Sequence, residues 1–221
     1  MSILFVLLTF LLILTVMYFR RPEQAVDALQ VAPAKAVGAP LNFKQIGSDI
    51  PNGYCFHPGH TWVVDEGRQN ARVGIDAFAG NLFGKIDAIQ LADLNRWIRQ
   101  GQKLCTVTRE GQSVDLLSPI EGVMVSVNHE VLKDPNLITD DPYKNGWLCI
   151  IKAPELATNV KNLLQGPMVP AWMQNSIARV SAMVQQLTPA LAQDGGLPIK
   201  GFLFRVDAVV QQQLTKEFFL T

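Results

Sequence analysis

Charge, histidine and cysteine are all thinly used along these 221 residues. Charged side chains make up 17%, with 19 Lys and Arg against 19 Asp and Glu, and there are three His and three Cys. A net charge of zero with no basic block lacks the electrostatic footprint of a nucleic-acid binder. The cysteines, Cys55, Cys105 and Cys149, stand far apart with no CxxC pair, so they read as reduced, mostly buried thiols and not as a disulfide framework. There is no GxSxG, no HExxH and no phosphate-binding glycine loop, and Asp93, Asp140 and Asp141 are scattered carboxylates. We therefore expect a protein that is not an enzyme, with no catalytic residue and no bound cofactor. Lysine, too, is missing from 104 to 132, between Lys103 and Lys133. No internal repeat or low-complexity tract is found.

What the chain has in quantity is apolar residues, 48% of the total, enough for one domain of ordinary size with appendages. One block of them is concentrated at the start. Ser2–Phe19 runs 18 residues without a charge, Gly or Pro, and Arg20-Arg21 follows at once. A helix crosses a bilayer core with roughly 17–25 apolar residues, so this run is long enough to span. It lacks the leading positive charge and small-residue cleavage site of a signal peptide. The arginines on its C-terminal flank orient the rest of the chain toward the cytoplasm. The expectation is a single-pass protein of the inner (cytoplasmic) membrane, with residues 1–21 as transmembrane anchor. An Ala/Pro-rich linker, favouring extended backbone, then covers 22–50.

From 51 to 165 the signals are mainly β. Thr61–Val64 and Ala71–Ile75 flank the turn residues 65–70, which predicts a hairpin. A short helix is expected between an N-cap at Asp76 and a stop at Gly84. Strands are expected at Ile86–Leu91, Lys103–Thr108, Val114–Leu117 and Val123–Val127, with turns at Arg99–Gln102 and at Ser118–Gly122. Residues 166–221 form a helical extension. A short helix over Glu155–Gln165 leads into it, and a longer amphipathic one over Pro170–Leu187 has Trp172, Ile177, Val180 and Val184 on its apolar stripe. Asp194-Gly195-Gly196 breaks the chain, Gly201–Val206 reads as a strand, and Asp207 caps a last helix through Phe219. The class is thus mainly β with peripheral helices (α+β), a small barrel or sandwich.

Several motifs share one order: His60-x-Trp62, Val73-Gly74-Ile75 with Phe78-Ala79 and Leu82-Phe83-Gly84, Asp115-Leu116-Leu117-Ser118-Pro119-x-x-Gly122, Val127-Asn128, and Asp141-Pro142-Tyr143-x-x-Gly146-Trp147. In this order and spacing they resemble the H protein of the glycine cleavage system over roughly residues 54–165. The resemblance implies a lipoyl-type barrel-sandwich hybrid, two small β-sheets with short helices at one end. It also implies a carrier that holds lipoate on one lysine at a hairpin tip. Counting back from Asp115 and Pro119, that lysine falls on Gly111. The tip reads Arg109-Glu110-Gly111-Gln112-Ser113, so no amine is available for the attachment.

The expected function is a non-catalytic accessory or scaffolding subunit of a membrane complex, of respiratory or photosynthetic reaction-centre type. In this reading the anchor Ser2–Phe19 sits in the membrane and the β domain binds other subunits. The candidate partner contacts are Arg109, Glu110, Gly111 and Gln112 at the tip, and Phe218 and Phe219 in the apolar tail. Two alternatives stand beside it: a lipoate-related carrier or docking protein, and a membrane-anchored metal or ligand sensor. The sensor would use Cys55, His57 and His60, the densest set of potential metal ligands. Packed or hydrogen-bonded histidines are the default there, and no metal is expected.

Overall fold

The computed structural model describes residues 50–187 and 200–221. The anchor expected over Ser2–Phe19, nearly all of the linker and the break at 194–196 lie outside the described residues. Among those described, no helix is long and apolar enough to cross a membrane.

Among the described residues, ten strands lie in two antiparallel sheets. They are β1 (Cys55–Phe56), β2 (Thr61–Gly67), β3 (Asn70–Ile75), β4 (Ala88–Leu91), β5 (Trp97–Ile98), β6 (Lys103–Arg109), β7 (Gln112–Leu117), β8 (Gly122–Val127), β9 (Trp147–Lys152) and β10 (Leu164–Gln165). The larger sheet runs in the order β10-β1-β2-β3-β9-β8-β5, and the smaller is β4-β6-β7. The strands are short, and their inward residues are largely β-branched or aliphatic: Val73 and Ile75 on β3, Leu104 and Val107 on β6, Val114 and Leu116 on β7. Both sheets bury these side chains in one core cluster, which is why neither strand set could stand alone. The first hairpin is as expected, with β2 and β3 pairing from Thr61↔Ile75 to Gly67↔Asn70.

Six α-helices lie among the described residues: α1 (Ala77–Phe83), α2 (His129–Lys133), α3 (Leu137–Asp140), α4 (Leu156–Asn159), α5 (Met168–Leu187) and α6 (Ala208–Phe219). The α1 boundaries follow from its caps. The Asp76 carboxylate accepts from Ala79 N, and the Gly84 N–H returns to Gly80 O with Gly84 at positive φ. Likewise the Asp207 side chain accepts from Val209 N and Val210 N at the start of α6.

Two expected elements differ. Residues 155–165 do not form one helix. They give α4, a 3-10 turn at Val160–Asn162, and then β10, which pairs with β1 at Cys55↔Gln165 and Phe56↔Leu164. Asn159, the last residue of α4, is bound by other loops: its Oδ1 accepts from Glu121 N and its backbone O accepts from Gln100 Nε2. Gly201–Val206 is not a strand but a 3-10 turn at Phe202–Phe204. Phe202, Leu203 and Phe204 are all buried, so the segment has no polar face to alternate with, and a compact turn hides three consecutive apolar side chains.

The α5 stripe is shifted slightly from its expected position. Val180 and Val184 are buried as foreseen, joined by Val169, Met173 and Ser176, while Trp172 and Ile177 lie half-buried at its margin. α6 contributes Val210, Leu214, Phe218 and Phe219 to the same core.

Candidate functional site

The β6–β7 hairpin carries the site that the sequence singles out. Its strands pair down to Arg109↔Gln112, leaving Glu110 and Gly111 as a two-residue turn with φ of 50° and 80°. Two successive left-handed residues make the tight turn that matches strand twist, and Gly is favoured at such a position. Glu110, which has a Cβ to accommodate, is held by its N–H donating to Asp87 Oδ2 at 2.8 Å. A Cβ built on Gly111 would meet nothing within 4 Å. The glycine therefore answers to backbone conformation and not to crowding, and both turn residues are exposed.

The four tip residues do not share one environment. Arg109, expected as a partner contact, is 9% exposed. Its Nη1 donates to the Phe83 carbonyl at the end of α1 (3.2 Å) and its Nε to Glu110 (3.3 Å). A cation at a helix C-terminus meets the negative end of the dipole, and this holds the side chain inward. Gln112 is half-buried, and its Oε1 has no hydrogen-bond partner among the described residues. The outward-facing part of the tip is thus Glu110 and Gly111.

Phe218 and Phe219, candidate partner contacts in the apolar tail, are 2% and 0% exposed. Phe218 stands 5.3 Å from the Phe78 ring, and Phe219 stacks on Phe83 at 5.1 Å. Arg179 of α5 lies over the Phe218 ring and pairs with Glu217. Burying two aromatic rings against a waiting aromatic floor is worth more than leaving them in water, so the tail turns in.

The Cys55, His57 and His60 cluster is also dispersed. His60 Nδ1 meets Asp76 Oδ2 at 2.7 Å in a pair that is 1% and 0% exposed. The His60 ring is stacked between Phe78 (4.2 Å) and Trp172 (4.6 Å). Asp76 is therefore both the α1 cap and the histidine partner, and it holds His60 at a φ of 61°. His57 accepts the Gly59 N–H at Nδ1, and burial, aided by His60, lowers its pKa. Cys55 donates weakly to Gln165 Oε1, and burial raises its thiol pKa. Among the described residues no three His, Cys, Asp or Glu side chains come together to hold a metal ion. All three cysteines are free thiols. Cys105 and Cys149 are buried; burial pushes the Cys149 thiol up to about 12, and that of Cys105 in the same direction.

Sequence reasoning passed over one convergence. Lys85, Arg109, Lys200 and Arg205 line one cavity although the sequence spreads them over 120 positions. Of these only Arg109 belongs to a motif read in the sequence, so the fold alone unites them.

A family model described as glycine cleavage H-protein matches residues 54–176. The chain is 34% identical over 117 residues to the glycine cleavage system H protein of Alteromonas mediterranea, covering 53% of this chain and 90% of that one. It is 33% identical to that of Pseudoalteromonas atlantica with the same coverage. It is 31% identical to that of Xylella fastidiosa, covering 51% and 88%. A crystal structure of a glycine cleavage system H protein from Mycobacterium marinum matches with a TM-score of 0.49 and 27% identity, over 57% of this chain and 98% of that one.

Proposed function

The chain belongs to the glycine cleavage H-protein family, whose members are non-catalytic carriers, and from that premise we propose that it is a member without the lipoyl arm, serving as an accessory subunit of a membrane complex. One observation carries this reading. By the register of Asp115 and Pro119, the arm-bearing lysine of the family would fall on Gly111, and residues 104–132 contain no lysine at all. The flanking lysines offer no substitute. Lys103 lies at the far end of the hairpin, paired across from Leu117, with its Nζ 2.8 Å from Asp115. Lys133 sits on α2 beside Glu130. An amide to lipoate needs a primary amine, and Glu110 and Gly111 have none.

Without an arm, the domain still offers a rigid β-hairpin with an exposed turn. The apolar run Ser2–Phe19 supports a single-pass anchor in the inner membrane, and Arg20-Arg21 support a cytoplasmic location for the domain. In this proposal Glu110 and Gly111, flanked by the half-buried Gln112, form the contact loop for a neighbouring subunit.

The test has two readouts on the full chain. Intact mass spectrometry of protein from a lipoate-replete cell is expected to give the unmodified mass, and a lipoyl adduct would overturn the armless reading. Purification in mild detergent is expected to retain stoichiometric membrane subunits. Recovery of the chain alone would remove the accessory-subunit role.

A further inference from the structure

We propose that Asn52 is a site of spontaneous covalent modification, where the chain closes to a succinimide and reopens mainly as isoaspartate, while the fold protects the chain's other Asn-Gly pair. Asn-Gly occurs at Asn52-Gly53 and at Asn145-Gly146. A glycine has no side chain to shield its backbone nitrogen, so in this dipeptide that nitrogen approaches the preceding side-chain amide carbon freely. Both asparagines are exposed, so exposure alone does not separate them. Their glycines do.

Asn52 and Gly53 form the turn that leads into β1. Gly53 is exposed at a φ of 84°, and a Cβ built on it would meet nothing within 4 Å. Among the described residues its N–H donates to no group, and the Asn52 side chain has no hydrogen-bond partner. A turn that is neither closed by a bond nor packed reaches the geometry of attack with little resistance. Gly146, by contrast, is buried. Its N–H donates to the Asp141 carbonyl at 2.8 Å, and a Cβ there would stand 2.5 Å from Leu137 O. Asn145 is held on both sides: its N–H donates to Asp141 Oδ2 at 3.1 Å, and its carbonyl accepts from Asn128 Nδ2 at 2.8 Å. Before Gly146 N can attack, this loop has to open locally and give up those bonds.

The reaction consumes only water. Base removes the Gly53 amide proton, and the nitrogen attacks Asn52 Cγ. The new C–N bond closes the imide ring, and the side-chain amino group takes up a proton and leaves as ammonia. Water then opens the ring at either carbonyl. Breaking the bond from Gly53 N to the Asn52 main-chain carbonyl carbon leaves the chain running through Cγ, as isoaspartate with a free α-carboxylate. Breaking the bond to Cγ gives ordinary aspartate. Both products exchange a neutral amide for a carboxylate, and isoaspartate also adds a methylene to the main chain. The change falls three residues before β1, the strand held between β2 and β10. It also falls beside a cavity of about 490 Å³ that Gly53 lines together with Cys55, Asp65 and Arg68. An isoaspartyl residue there is a substrate for carboxyl methyltransferases of the isoaspartate-recognising class.

Full-length protein in nonionic detergent is incubated at mildly alkaline pH, one sample folded and one in urea. Peptides are then read by mass spectrometry with electron-transfer fragmentation, which distinguishes isoaspartate from aspartate. Asn52 is expected to convert at similar rates in both samples, with isoaspartate the major product. Asn145 is expected to convert at least about tenfold more slowly in the folded sample than in urea, because attack there waits on local opening. An isoaspartyl carboxyl methyltransferase with a labelled methyl donor should mark the peptide containing residue 52, and that mark should be absent in Asn52→Gln and kept in Asn145→Gln. Both substitutions fall on exposed side chains, so the folded state is retained for the comparison. Slowing of Asn52 by the fold to the same degree as Asn145 would overturn the proposal. So would equal conversion of the two asparagines in the folded sample, or methyl label on the residue 52 peptide of Asn52→Gln.

Discussion

The His60 centre and the Glu110–Gly111 turn are each built around a residue at positive φ, yet the molecule treats them in opposite ways. His60 is closed over: Asp76 on one side, Phe78 and Trp172 on its faces, and Phe218 and Phe219 beyond. The hairpin turn is left bare, with nothing near the place where a Gly111 side chain would stand. Trp172 of α5, inside the matched segment 54–176, and Phe218 and Phe219 of α6, beyond it, thus cover the His60 centre while the turn stays exposed. The difference separates residues that hold the fold together from residues available to a partner. Phe218, Phe219 and Arg109 belong with the first, and Glu110 and Gly111 with the second.

Removing the cover should have the largest effect. Phe219→Ala empties a fully buried site against Phe83, and unfolding by urea is expected to show a loss of about 3–5 kcal/mol. An effect below about 1 kcal/mol would mean that the tail is not core, and the contrast would collapse. Next comes Asp76→Ala, which removes the α1 cap and the His60 partner together; the expected loss is about 2–4 kcal/mol by the same measurement. At the open end, Gly111→Lys should fold with a penalty of only about 1–2 kcal/mol, the cost of a side chain at positive φ with no clash added. Incubated with a lipoate ligase, this variant should gain a lipoyl adduct by mass spectrometry where the parent chain gains none. Failure to be modified would show that the turn has lost more than its amine.

The smallest expected effect is a pH dependence. Burial lowers the folded-state pKa of His57 below its ordinary 6.5. The unfolded chain therefore binds its proton first as the pH falls, and the stability from this residue is present above pH 6.5 and lost on descending through the lowered value. His57→Gln should flatten that part of a urea-denaturation pH series. An unchanged slope would show that His57 is no more shielded than a surface histidine.

The sequence announced what is decided locally. Asp76 and Gly84 mark both ends of α1, Asp207 marks the start of α6, and the positions of both long hairpins follow from alternation and turn residues. What it misplaced depends on distant partners. Leu164–Gln165 becomes a strand because β1 lies beside it, and Phe202–Phe204 becomes a turn because the core needs three apolar side chains at one point. The tip of the candidate site was legible as a lysine-free turn. Whether each tip residue faced inward or outward was not, because Arg109 is drawn in by a carbonyl 26 residues earlier in the chain. The four-cation cavity was invisible for the same reason.

The pairing of β1 with β10 also defines a load path. Tension arriving along the chain from residue 50 enters the fold through Cys55–Phe56, a strand gripped on one edge by β2 and on the other by β10. β10 ends at Gln165, and α5, with the Trp172 that lies against His60, begins three residues later. A pull at residue 50 is thereby shared between the β1–β2 edge of the sheet and the helix that covers its centre. In mechanical terms the strand that opens the matched segment is stitched to one near its close at a single seam.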